Sequence, residues 1–557
     1  MTMVGRGMAE ILHAAGVRRM YTVPGESFLS LLDGVDAHPG IRLISTRHES
    51  GASFMADAEA KMTGRPAVVA ATRAVGAANL AIGVHTAHQD SSPMVVVLGQ
   101  ADSGFLGRES FQEIDLEAFY RPITKWSAAV RRADRIPEML SRAVRIARSG
   151  RPGPVMISIP GDLFEADVAD AEVDIARRRV LGELAGPAPD PRVIRRVANR
   201  LASARRPVLI AGAGARPAPA ELTAVAEAYA VGVYAAFRRQ DVFPNDHPNY
   251  LGHLGFGNED GCLAALREAD LVLVAGSRLS EVTTSGYTLP PPTAEVIQID
   301  VDAAVIGSTV PAALGVVCDV GDALRELLAV AGQIQVPDRD WSRAHAAYMA
   351  ASRLPPPRSA EPVNPSQVIG AMRAVLPEQA VIANDAGNFA TFLHQYWPFR
   401  YPRSQVAPAN GAMGYGVAGA IGAKLAAPHR PVVGVAGDGG FAMSAMEIET
   451  AVREDVDVTL IVLSNGLHGT IAMHQARAYG RLAGVRIGQI EVAGIARSLG
   501  AAGIKVDDAA DLADALAEAY STPGPAVVEV RTDPLLISPA NVLGVEIDDL
   551  RPADPRR

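Results

Sequence analysis

The sequence contains very little cysteine and no long apolar run. Two cysteines, Cys262 and Cys318, stand among 557 residues, too few for a disulfide framework or a thiolate metal cluster. No stretch approaches the roughly 20 apolar residues that span a bilayer, and Glu10 and His13 interrupt the apolar part of the amino-terminal segment. Small secreted scaffolds and zinc modules are therefore excluded. We expect neither a signal peptide nor a membrane anchor, and a reducing cytoplasm is the expected compartment.

Basic residues are also fewer than acidic ones. The chain has 52 Lys and Arg against 61 Asp and Glu, which gives a net charge of -9. Nucleic-acid-binding proteins need a basic surface that neutralises phosphates, so we expect no nucleic-acid partner. Hydrophobic residues make up 48% of the chain, which excludes a disordered chain because that much apolar surface can offset the entropy lost on ordering. At roughly 100 to 200 residues per domain, the length indicates about three or four domains.

Short apolar runs alternate with helix-length segments along most of the chain. Runs of this length are typical of parallel strands that helices cover on both faces. Pro-rich segments at residues 184–191 and 353–365 separate the runs into three series. The predicted strands lie at residues 19–23, 41–46, 67–72, 94–98 and 155–159, then at 207–211, 271–275 and 295–299, and then at 380–383, 432–436, 459–464 and 526–531.

This pattern predicts an α/β protein with three doubly wound parallel-sheet domains. We assign the domains to residues 1–168, 190–332 and 364–540, and residues 541–557 form a tail that is first acidic and then rich in proline. No short repeat is present in the sequence, but three similar units indicate duplication of one architecture.

The most informative segment is residues 431–465, PVVGVAGDGGFAMSAMEIETAVREDVDVTLIVLSN. It predicts a βαβ unit in which Asp438 and Asn465 follow two parallel strands at the edge where open α/β sheets bind ligands. A carboxylate and an amide oxygen are hard ligands that suit magnesium. The glycines allow a phosphate to approach the backbone, next to a helix amino terminus. From these residues alone, a magnesium–diphosphate site and an ordinary surface turn with a capping asparagine both remain open.

A GDG followed at this interval by Asn, in the last third of a three-domain α/β chain, resembles the magnesium–diphosphate motif of thiamine diphosphate (ThDP) enzymes, specifically the acetolactate synthase-like superfamily. The resemblance extends over nearly the whole chain and implies that the three domains are, in order, pyrimidine-binding, central and diphosphate-binding. The matching segments are ESGASFMADAEAKMTGRPAV from Glu49, AVGAANLAIGVHTAHQDSSPMVVVLGQ from Ala74, ESFQEID from Glu109, RPGPVMISIP from Arg151 and NGAMGYGVAGAIGA from Asn410.

The resemblance implies a set of cofactor-binding residues. It makes Asp438 and Asn465 side-chain ligands of magnesium and the backbone carbonyl of Leu467 a third ligand. It makes Met413 the apolar residue that keeps the cofactor bent, and it implies that Gly411 and Met413 offer backbone groups to the pyrimidine. The residues that it implies are close to the diphosphate are Gly437, Gly439, Gly440, Gly469 and Thr470 on one side and Gly387 and Asn388 on the other.

Three further residues are candidates for catalysis or substrate selection. Glu49 begins a predicted helix, where the helix dipole alone favours a glutamate, but the resemblance implies that it hydrogen-bonds a pyrimidine ring nitrogen of the cofactor. Gln112 matches a glutamine near the substrate channel of acetolactate synthases and is otherwise an ordinary loop amide. Glu26 lies where relatives carry specificity residues and otherwise serves as a helix-capping residue beside Ser27.

The resemblance leaves several reactions open. Members of this family commonly remove carbon dioxide from a 2-oxo acid or cleave an acyloin-type bond. We expect a carboligase that takes a 2-oxo acid and a second carbonyl compound as substrates. A non-oxidative decarboxylase or acyloin or 2-hydroxyacyl lyase is one alternative, and a catalytically silent ThDP-binding homologue is another, although intact Glu49, Asp438 and Asn465 argue against silence.

The central domain departs from the pattern of relatives that bind FAD. The GAGAR segment at residues 212–216 precedes Pro217, so the GxGxxG dinucleotide motif is incomplete. The GSRLSEVTT segment from Gly276 lacks an Asp-Asp-Arg pattern, and we therefore do not expect FAD. The resemblance also implies a homodimer or homotetramer, in which the domain bearing Glu49 of one subunit completes the cofactor site of another.

Overall fold

The amino-terminal part of the chain folds around a six-stranded parallel sheet in the computed structural model, which describes residues 1–356 and 362–544. In spatial order the strands are Arg42–Ser45, Arg19–Thr22, Ala67–Thr72, Met94–Gln100, Pro154–Pro160 and Trp126–Ala129. The helices are Val4–Ala14, Leu29–Asp36, Glu49–Thr63, Arg73–Asp90, Leu116–Tyr120, Ile136–Arg148, Gly161–Phe164 and Asp170–Leu181. All five predicted strands are present. Trp126–Ala129 was not predicted because this half-buried edge strand has no apolar run.

A second six-stranded parallel sheet lies in the middle of the chain. In spatial order its strands are Tyr250–His253, Gly232–Ala235, Pro207–Ala211, Leu271–Ala275, Glu295–Asp300 and Leu314–Val317. The helices are Pro191–Ser203, Pro219–Ala228, Ala264–Arg267, Val320–Ala331 and Ser342–Ala351. The last helix packs against this sheet through Tyr348, whose ring centroid lies 4.8 Å from that of Tyr250.

The third six-stranded parallel sheet lies in the carboxyl-terminal part. Its strands, in spatial order, are Gln405–Val406, Val381–Asn384, Val432–Gly437, Thr459–Ser464, Ala526–Arg531 and Ala502–Val506. The helices are Pro365–Val375, Phe389–Tyr396, Tyr415–Ala426, Asp438–Ser444, Glu447–Arg453, Gly469–Tyr479, Val492–Ser498 and Leu512–Ser521. Three parallel sheets flanked by helices confirm the predicted fold class.

Two short antiparallel pairs supplement the three sheets. Thr2–Met3 pairs with Asp167–Val168, and Leu536–Ser538 pairs with Asn541–Val542. The predicted tail thus starts in this second pair, and its residues 545–557 lie outside the described residues. The predicted domain boundaries stay predictions. None of the helices in the described ranges combines the length and the apolar character that a membrane span needs.

The first and third sheets share one hydrophobic core through two helices, Glu49–Thr63 and Tyr415–Ala426. The helices touch backbone to backbone, since a Cβ on Gly422 would lie 2.5 Å from Met55 Cα. Lys61 adds a buried polar junction, because its Nζ donates to the Ala407 backbone oxygen at 2.9 Å and to the Tyr415 hydroxyl at 3.2 Å, while Asp57 and Asp90 balance its charge. This contact fixes the position of the helix that begins with Glu49 relative to the carboxyl-terminal sheet.

Candidate active site

Asp438 and Asn465 meet at the carboxyl edge of the third sheet. Their strands, Val432–Gly437 and Thr459–Ser464, are parallel neighbours, and Gly437 lies opposite Leu463. Asp438 is buried, and its Oδ2 accepts hydrogen bonds from the backbone nitrogens of Asn465 at 2.9 Å and Gly466 at 2.6 Å. The predicted convergence of the two strand ends is therefore present, because neighbouring parallel strands deliver their following residues to one edge.

The oxygen atoms of this edge suit a hard divalent cation. Among the described residues, Asp438 Oδ1 accepts one hydrogen bond, from the backbone nitrogen of Gly439 at 2.9 Å, and Asn465 Oδ1 accepts one, from the backbone nitrogen of Leu467 at 3.1 Å. A carboxylate or amide oxygen has lone pairs beyond one such bond, so each retains capacity for a metal. Burial raises the pKa of Asp438, and the backbone donors around its carboxylate oppose that shift. A bound cation would oppose it further.

A cradle of amide groups lies next to these oxygens. A Cβ on Gly469, the first residue of helix Gly469–Tyr479, would lie 3.9 Å from Asn465 Nδ2 and 4.0 Å from Asn388 Nδ2. Thr470 Oγ1 donates to Asn388 Oδ1 at 2.9 Å, which turns the amide nitrogen of Asn388 away from that hydroxyl. This nitrogen is buried and has no hydrogen-bond partner among the described residues. An unpaired buried donor beside a helix amino terminus fits a phosphate oxygen.

The glycines of the GDGG segment have packing reasons of their own. A Cβ on Gly439 would lie 3.0 Å from the His468 ring, and one on Gly440 would lie 2.5 Å from Asp385 Oδ2. Gly437 is less crowded, since an added Cβ there would lie 3.3 Å from the Phe389 ring. These positions therefore favour glycine whether or not a phosphate approaches, and Gly387 (φ +153°) adopts a conformation that side chains rarely take.

Asp385 organises the turn that carries Met413, and sequence reasoning missed it. Its Oδ2 accepts hydrogen bonds from the backbone nitrogens of Gly414 at 3.0 Å and Gly416 at 3.2 Å. Burial raises the pKa of Asp385 to about 6, against the opposing effect of these donors and of Arg238. The half-buried Met413 and the exposed Gly411 (φ +73°) are thereby held at the same sheet edge. A carboxylate directly after the buried strand Val381–Asn384 could have indicated it, as with Asp438.

Glu49 lies at the carboxyl edge of the first sheet and begins helix Glu49–Thr63. Its side chain is largely buried, and Oε2 accepts a hydrogen bond from Asn79 Nδ2 at 3.0 Å. A Cβ on Gly76 would lie 3.2 Å from Oε1, so helix Arg73–Asp90 passes directly beside the carboxylate. Glu49 therefore has a fixed orientation, which a helix-start residue serving only the dipole would not need.

Glu447, a second residue that sequence reasoning missed, holds the turn before Glu49. This buried side chain from the carboxyl-terminal part accepts hydrogen bonds from the backbone nitrogens of His48 at 3.0 Å and Arg47 at 3.2 Å. Thr450 Oγ1 donates to its other oxygen at 2.7 Å. Gly51 makes room for it, since a Cβ there would lie 2.6 Å from Glu447 Cδ. Burial raises the pKa of Glu447. No local pattern indicates this contact, because about 400 residues separate the partners.

Gln112 and Glu26 also border the amino terminus of helix Arg73–Asp90. The backbone oxygen of Gln112 accepts a hydrogen bond from Ala74 N at 3.1 Å, and Gln112 has a φ of +61°. Its side-chain Oε1 is buried without a hydrogen-bond partner in the described structure. Glu26 is exposed, and its Oε1 lies 3.5 Å from Arg73 Nη1. The three candidates of the first domain are therefore brought together around one helix end.

The candidate residues thus form two groups. Glu49, Gln112 and Glu26 lie at the edge of the first sheet, and the residues assigned to the diphosphate, the metal and the pyrimidine lie at the edge of the third. Within the part of the chain that the structure describes, no hydrogen bond joins a residue of one group to a residue of the other. The roles of both groups stay predictions.

Three domain families match the chain in the order that the sequence predicts. Residues 2–119 match the thiamine pyrophosphate enzyme N-terminal TPP binding domain, residues 194–327 the thiamine pyrophosphate enzyme central domain, and residues 385–530 the thiamine pyrophosphate enzyme C-terminal TPP binding domain. Thiamine pyrophosphate is another name for thiamine diphosphate. The first match contains Glu49, Glu26 and Gln112, and the last contains Asp438 and Asn465.

Relatives cover almost the full chain. It is 33% identical over 530 residues to the acetolactate synthase isozyme 1 large subunit of Escherichia coli, covering 94% of this chain and 93% of the relative. It is 31% identical over 541 residues to a probable acetolactate synthase large subunit of Methanocaldococcus jannaschii, covering 94% and 90%. It is 32% identical over 547 residues to a sulfoacetaldehyde acetyltransferase of Rhodobacter capsulatus, covering 92% and 90%.

These matches define the class of protein as a ThDP-dependent, transferase-like enzyme that acts on small molecules. The chain belongs to the thiamine pyrophosphate enzyme family and is acetolactate synthase-like. The predicted resemblance is confirmed.

Proposed function

We propose that this protein is a magnesium- and ThDP-dependent carboligase that removes carbon dioxide from a small 2-oxo acid and transfers the remaining acyl unit to a second carbonyl compound. The observation that carries the proposal is the similarity to acetolactate synthases over 94% of the chain. The acetyltransferase relative, at 32% identity, supports acyl transfer as the common theme and leaves the acceptor open.

The third sheet would hold the cofactor's diphosphate and its metal. Asp438 Oδ1 and Asn465 Oδ1 have the capacity to bind magnesium, with the backbone carbonyl of Leu467 as the further ligand that the family resemblance implies. The unpaired Asn388 amide nitrogen would donate to the diphosphate next to Gly469 and Thr470. ThDP, when bound, supplies the electron sink for breaking and forming carbon–carbon bonds.

Glu49 would hold a proton between its carboxylate and a ring nitrogen of the pyrimidine. Asn79 donates to Oε2, whereas none of the described residues donates a hydrogen bond to Oε1, which lies 3.2 Å from where a Cβ on Gly76 would be. Glu447 fixes the turn before Glu49 by two backbone hydrogen bonds. This arrangement orients one carboxylate oxygen, which is the requirement for a proton-sharing group.

We further propose that the protein is at least a homodimer. Several large apolar side chains are exposed near the two candidate edges, and such surface usually marks an interaction site. They are Leu29, Val75 and Phe111 in the first domain and Met443 and Met446 in the third. Apposition of the two edges across a subunit interface would cover these side chains and bring Glu49 of one copy toward Asp438 of another. We expect a cytoplasmic protein, since both cysteines are buried and free.

We expect a colourless protein, without FAD. The two central-domain segments that begin at Gly212 and Gly276 pack closely against each other, since a Cβ on Gly212 would lie 2.7 Å from the Gly276 carbonyl carbon. Gly214 N also donates to Gly276 O at 3.1 Å. A flavin spectrum in the purified protein would contradict this expectation.

The activity is tested with pyruvate, ThDP and magnesium, alone and with a panel of aldehydes and 2-oxo acids. The proposal expects carbon dioxide release together with a coupled hydroxyketone product. Carbon dioxide with free acetaldehyde and no coupled product would instead identify a decarboxylase. Cleavage of acyloins or 2-hydroxyacyl compounds without turnover of 2-oxo acids would identify a lyase. Failure of every substrate, with ThDP still bound, would identify a catalytically silent homologue.

A further inference from the structure

One arginine occupies the centre of the first group of candidate residues. Arg73 directly follows the buried strand Ala67–Thr72 and begins helix Arg73–Asp90. It lies one helical turn before Gly76, where an added Cβ would lie 3.2 Å from Glu49 Oε1. Gln112 contacts the residue after it, through the hydrogen bond from Ala74 N. Arg73 is thus at the same sheet edge as every candidate catalytic residue of the first domain.

The guanidinium of Arg73 is largely buried but only loosely paired. Its side chain is 17% exposed. Nη1 donates to the Phe111 backbone oxygen at 3.3 Å and lies 3.5 Å from the exposed Glu26 carboxylate. Nε is buried and has no hydrogen-bond partner among the described residues. A guanidinium offers five N–H donors in a planar fork, so most of its capacity for a bidentate contact is unused.

The surroundings of Arg73 favour an anion. Helix Arg73–Asp90 is 18 residues long, has no acidic residue in its first turn and has no side-chain cap on its backbone donors. The helix end therefore adds positive potential to that of the guanidinium. The 58% exposed Glu26 side chain is the one carboxylate within salt-bridge distance of Arg73 in residues 1–356 and 362–544, at 3.5 Å. Because this carboxylate is mostly in water, the ion pair stabilises by little. An incoming anion can replace it.

We propose that Arg73 binds the carboxylate of the substrate and that Glu26 is its counter-ion when no substrate is bound. The inference rests on the proposed function, because it identifies the part of a 2-oxo acid that the first domain recognises. A carboxylate suits the planar fork, because two parallel N–H donors match its two oxygens. Phe111, whose ring centroid lies 5.9 Å from the guanidinium carbon, flanks the group on one side. The carboxylate belongs either to the donor or to the acceptor.

The test compares Arg73→Ala and Arg73→Lys with the wild type, all loaded with ThDP and magnesium. A charge-assisted bidentate contact contributes enough that its loss raises a KM by about 10- to 100-fold. We expect that rise for the substrate whose carboxylate Arg73 binds, a partial rise in Arg73→Lys because a point charge replaces the fork, and an unchanged KM for a neutral aldehyde acceptor. Arg108→Ala removes an exposed positive charge from the neighbouring loop and serves as the control, with an unchanged KM.

Varying the donor and the acceptor separately identifies the source of the carboxylate. A raised KM for pyruvate with a neutral acceptor assigns Arg73 to the donor, and a raised KM confined to 2-oxo acid acceptors assigns it to the acceptor. An Arg73→Ala enzyme with wild-type KM values for both would overturn the proposal. So would an equal rise for neutral and charged substrates, which a merely structural role predicts.

Glu26→Gln separates substrate binding from a structural ion pair. If Arg73 binds substrate, removal of the competing carboxylate lowers the KM for the same acid. If the Arg73–Glu26 pair only supports the fold, Glu26→Gln raises the KM as Arg73→Ala does, and the proposal is wrong.

A calorimetric titration with oxamate, an unreactive analogue of pyruvate, distinguishes failure of this inference from failure of the proposed function. If the wild type turns over no 2-oxo acid but binds oxamate and Arg73→Ala does not, the carboxylate site stands and the proposed reaction falls. If the wild type turns over pyruvate and both proteins bind oxamate equally, the proposed reaction stands and the carboxylate site at Arg73 is wrong.

Discussion

Replacement of Gly422 by alanine tests how the helix bearing Glu49 is held in place. Gly422 lies in helix Tyr415–Ala426, and an added Cβ would lie 2.5 Å from Met55 Cα and 2.8 Å from Met55 C, both backbone atoms of helix Glu49–Thr63. Non-bonded carbon atoms prefer about 3.5–4.0 Å, so the two helices would have to move apart by roughly 1 Å. The intervening core, with the buried Phe54 and Tyr415 rings 5.3 Å apart, cannot absorb this locally.

Two opposing effects set the magnitude of the change. Alanine in place of glycine in a helix interior gains about 1 kcal/mol, whereas overpacking of a well-filled core costs typically about 1–3 kcal/mol and sometimes more. The contact is with backbone, which cannot rotate away, so the upper part of that range applies. We expect Gly422→Ala to lower the stability by about 1–2 kcal/mol net.

The matched control is Gly370→Ala in helix Pro365–Val375. There, among the described residues, an added Cβ would meet only Leu354 Cδ1 at 3.6 Å, an ordinary contact, so we expect the helix-propensity gain of up to about 1 kcal/mol. Both variants are compared with the wild type by urea unfolding and by apparent melting temperature under identical conditions, since a chain of several domains is not expected to unfold in one step. Gly422→Ala should melt below the wild type and Gly370→Ala at or above it. Equal stabilisation by the two substitutions would refute the backbone contact.

Three more predictions address the candidate site and its supports. Glu49→Gln should still bind ThDP but lose most hydrogen–deuterium exchange at the thiazolium C2 position, because an amide cannot share the pyrimidine proton; wild-type exchange would leave Glu49 a helix-start residue. Glu447→Ala should lower the melting temperature and slow the same exchange, because it leaves two partly buried backbone donors, those of Arg47 and His48, without their acceptor. Since water can reach these donors in part, the cost is below the roughly 1–3 kcal/mol of a fully buried group. Glu447→Gln keeps an acceptor and should do less; equal, negligible effects would contradict the positioning role. The pKa of Asp385 is raised from 3.8 to about 6, so the stabilisation linked to its protonation is full below about pH 4 and is lost as the pH rises through about 6, a span of about 3 kcal/mol. Asp385→Asn should therefore remove this part of the pH dependence of stability between pH 4 and 7. An unchanged stability profile would contradict the raised pKa.

Local patterns in the sequence predicted the fold class, most strands of the three sheets and one edge of the site. A run such as residues 460–463 is apolar throughout and therefore predicts a strand buried on both faces. Adjacency of that strand to the one at residues 432–436 was enough to predict that Asp438 and Asn465 converge. The strands that were not predicted lie mostly at sheet edges, and they are Trp126–Ala129, Tyr250–His253, Leu314–Val317, Gln405–Val406 and Ala502–Val506, together with the inner strand Gly232–Ala235. Trp126–Ala129, for example, is half-buried and carries no apolar pattern.

The supports of the site depend on contacts that sequence patterns do not encode. Asp385 acts on Gly414 and Gly416, about 30 residues later in the chain, and Glu447 acts on a turn about 400 residues earlier. Arg73 could have been noticed as a charged residue directly after a buried strand, but its loosely paired guanidinium is visible only once Glu26 and Phe111 are in position. Such contacts arise from tertiary packing, which overrides local preference.

We propose that Asp438 and Asn465 hold the metal and the diphosphate of ThDP, and the proposed function depends on this assignment. The most direct measurement is a calorimetric titration of ThDP in the presence and absence of magnesium, for the wild type and for Asp438→Ala, with circular dichroism to establish that the variant is folded. We predict saturable, magnesium-dependent binding to the wild type and loss of that binding in the folded variant. Undiminished, magnesium-dependent ThDP affinity in Asp438→Ala would contradict the claim.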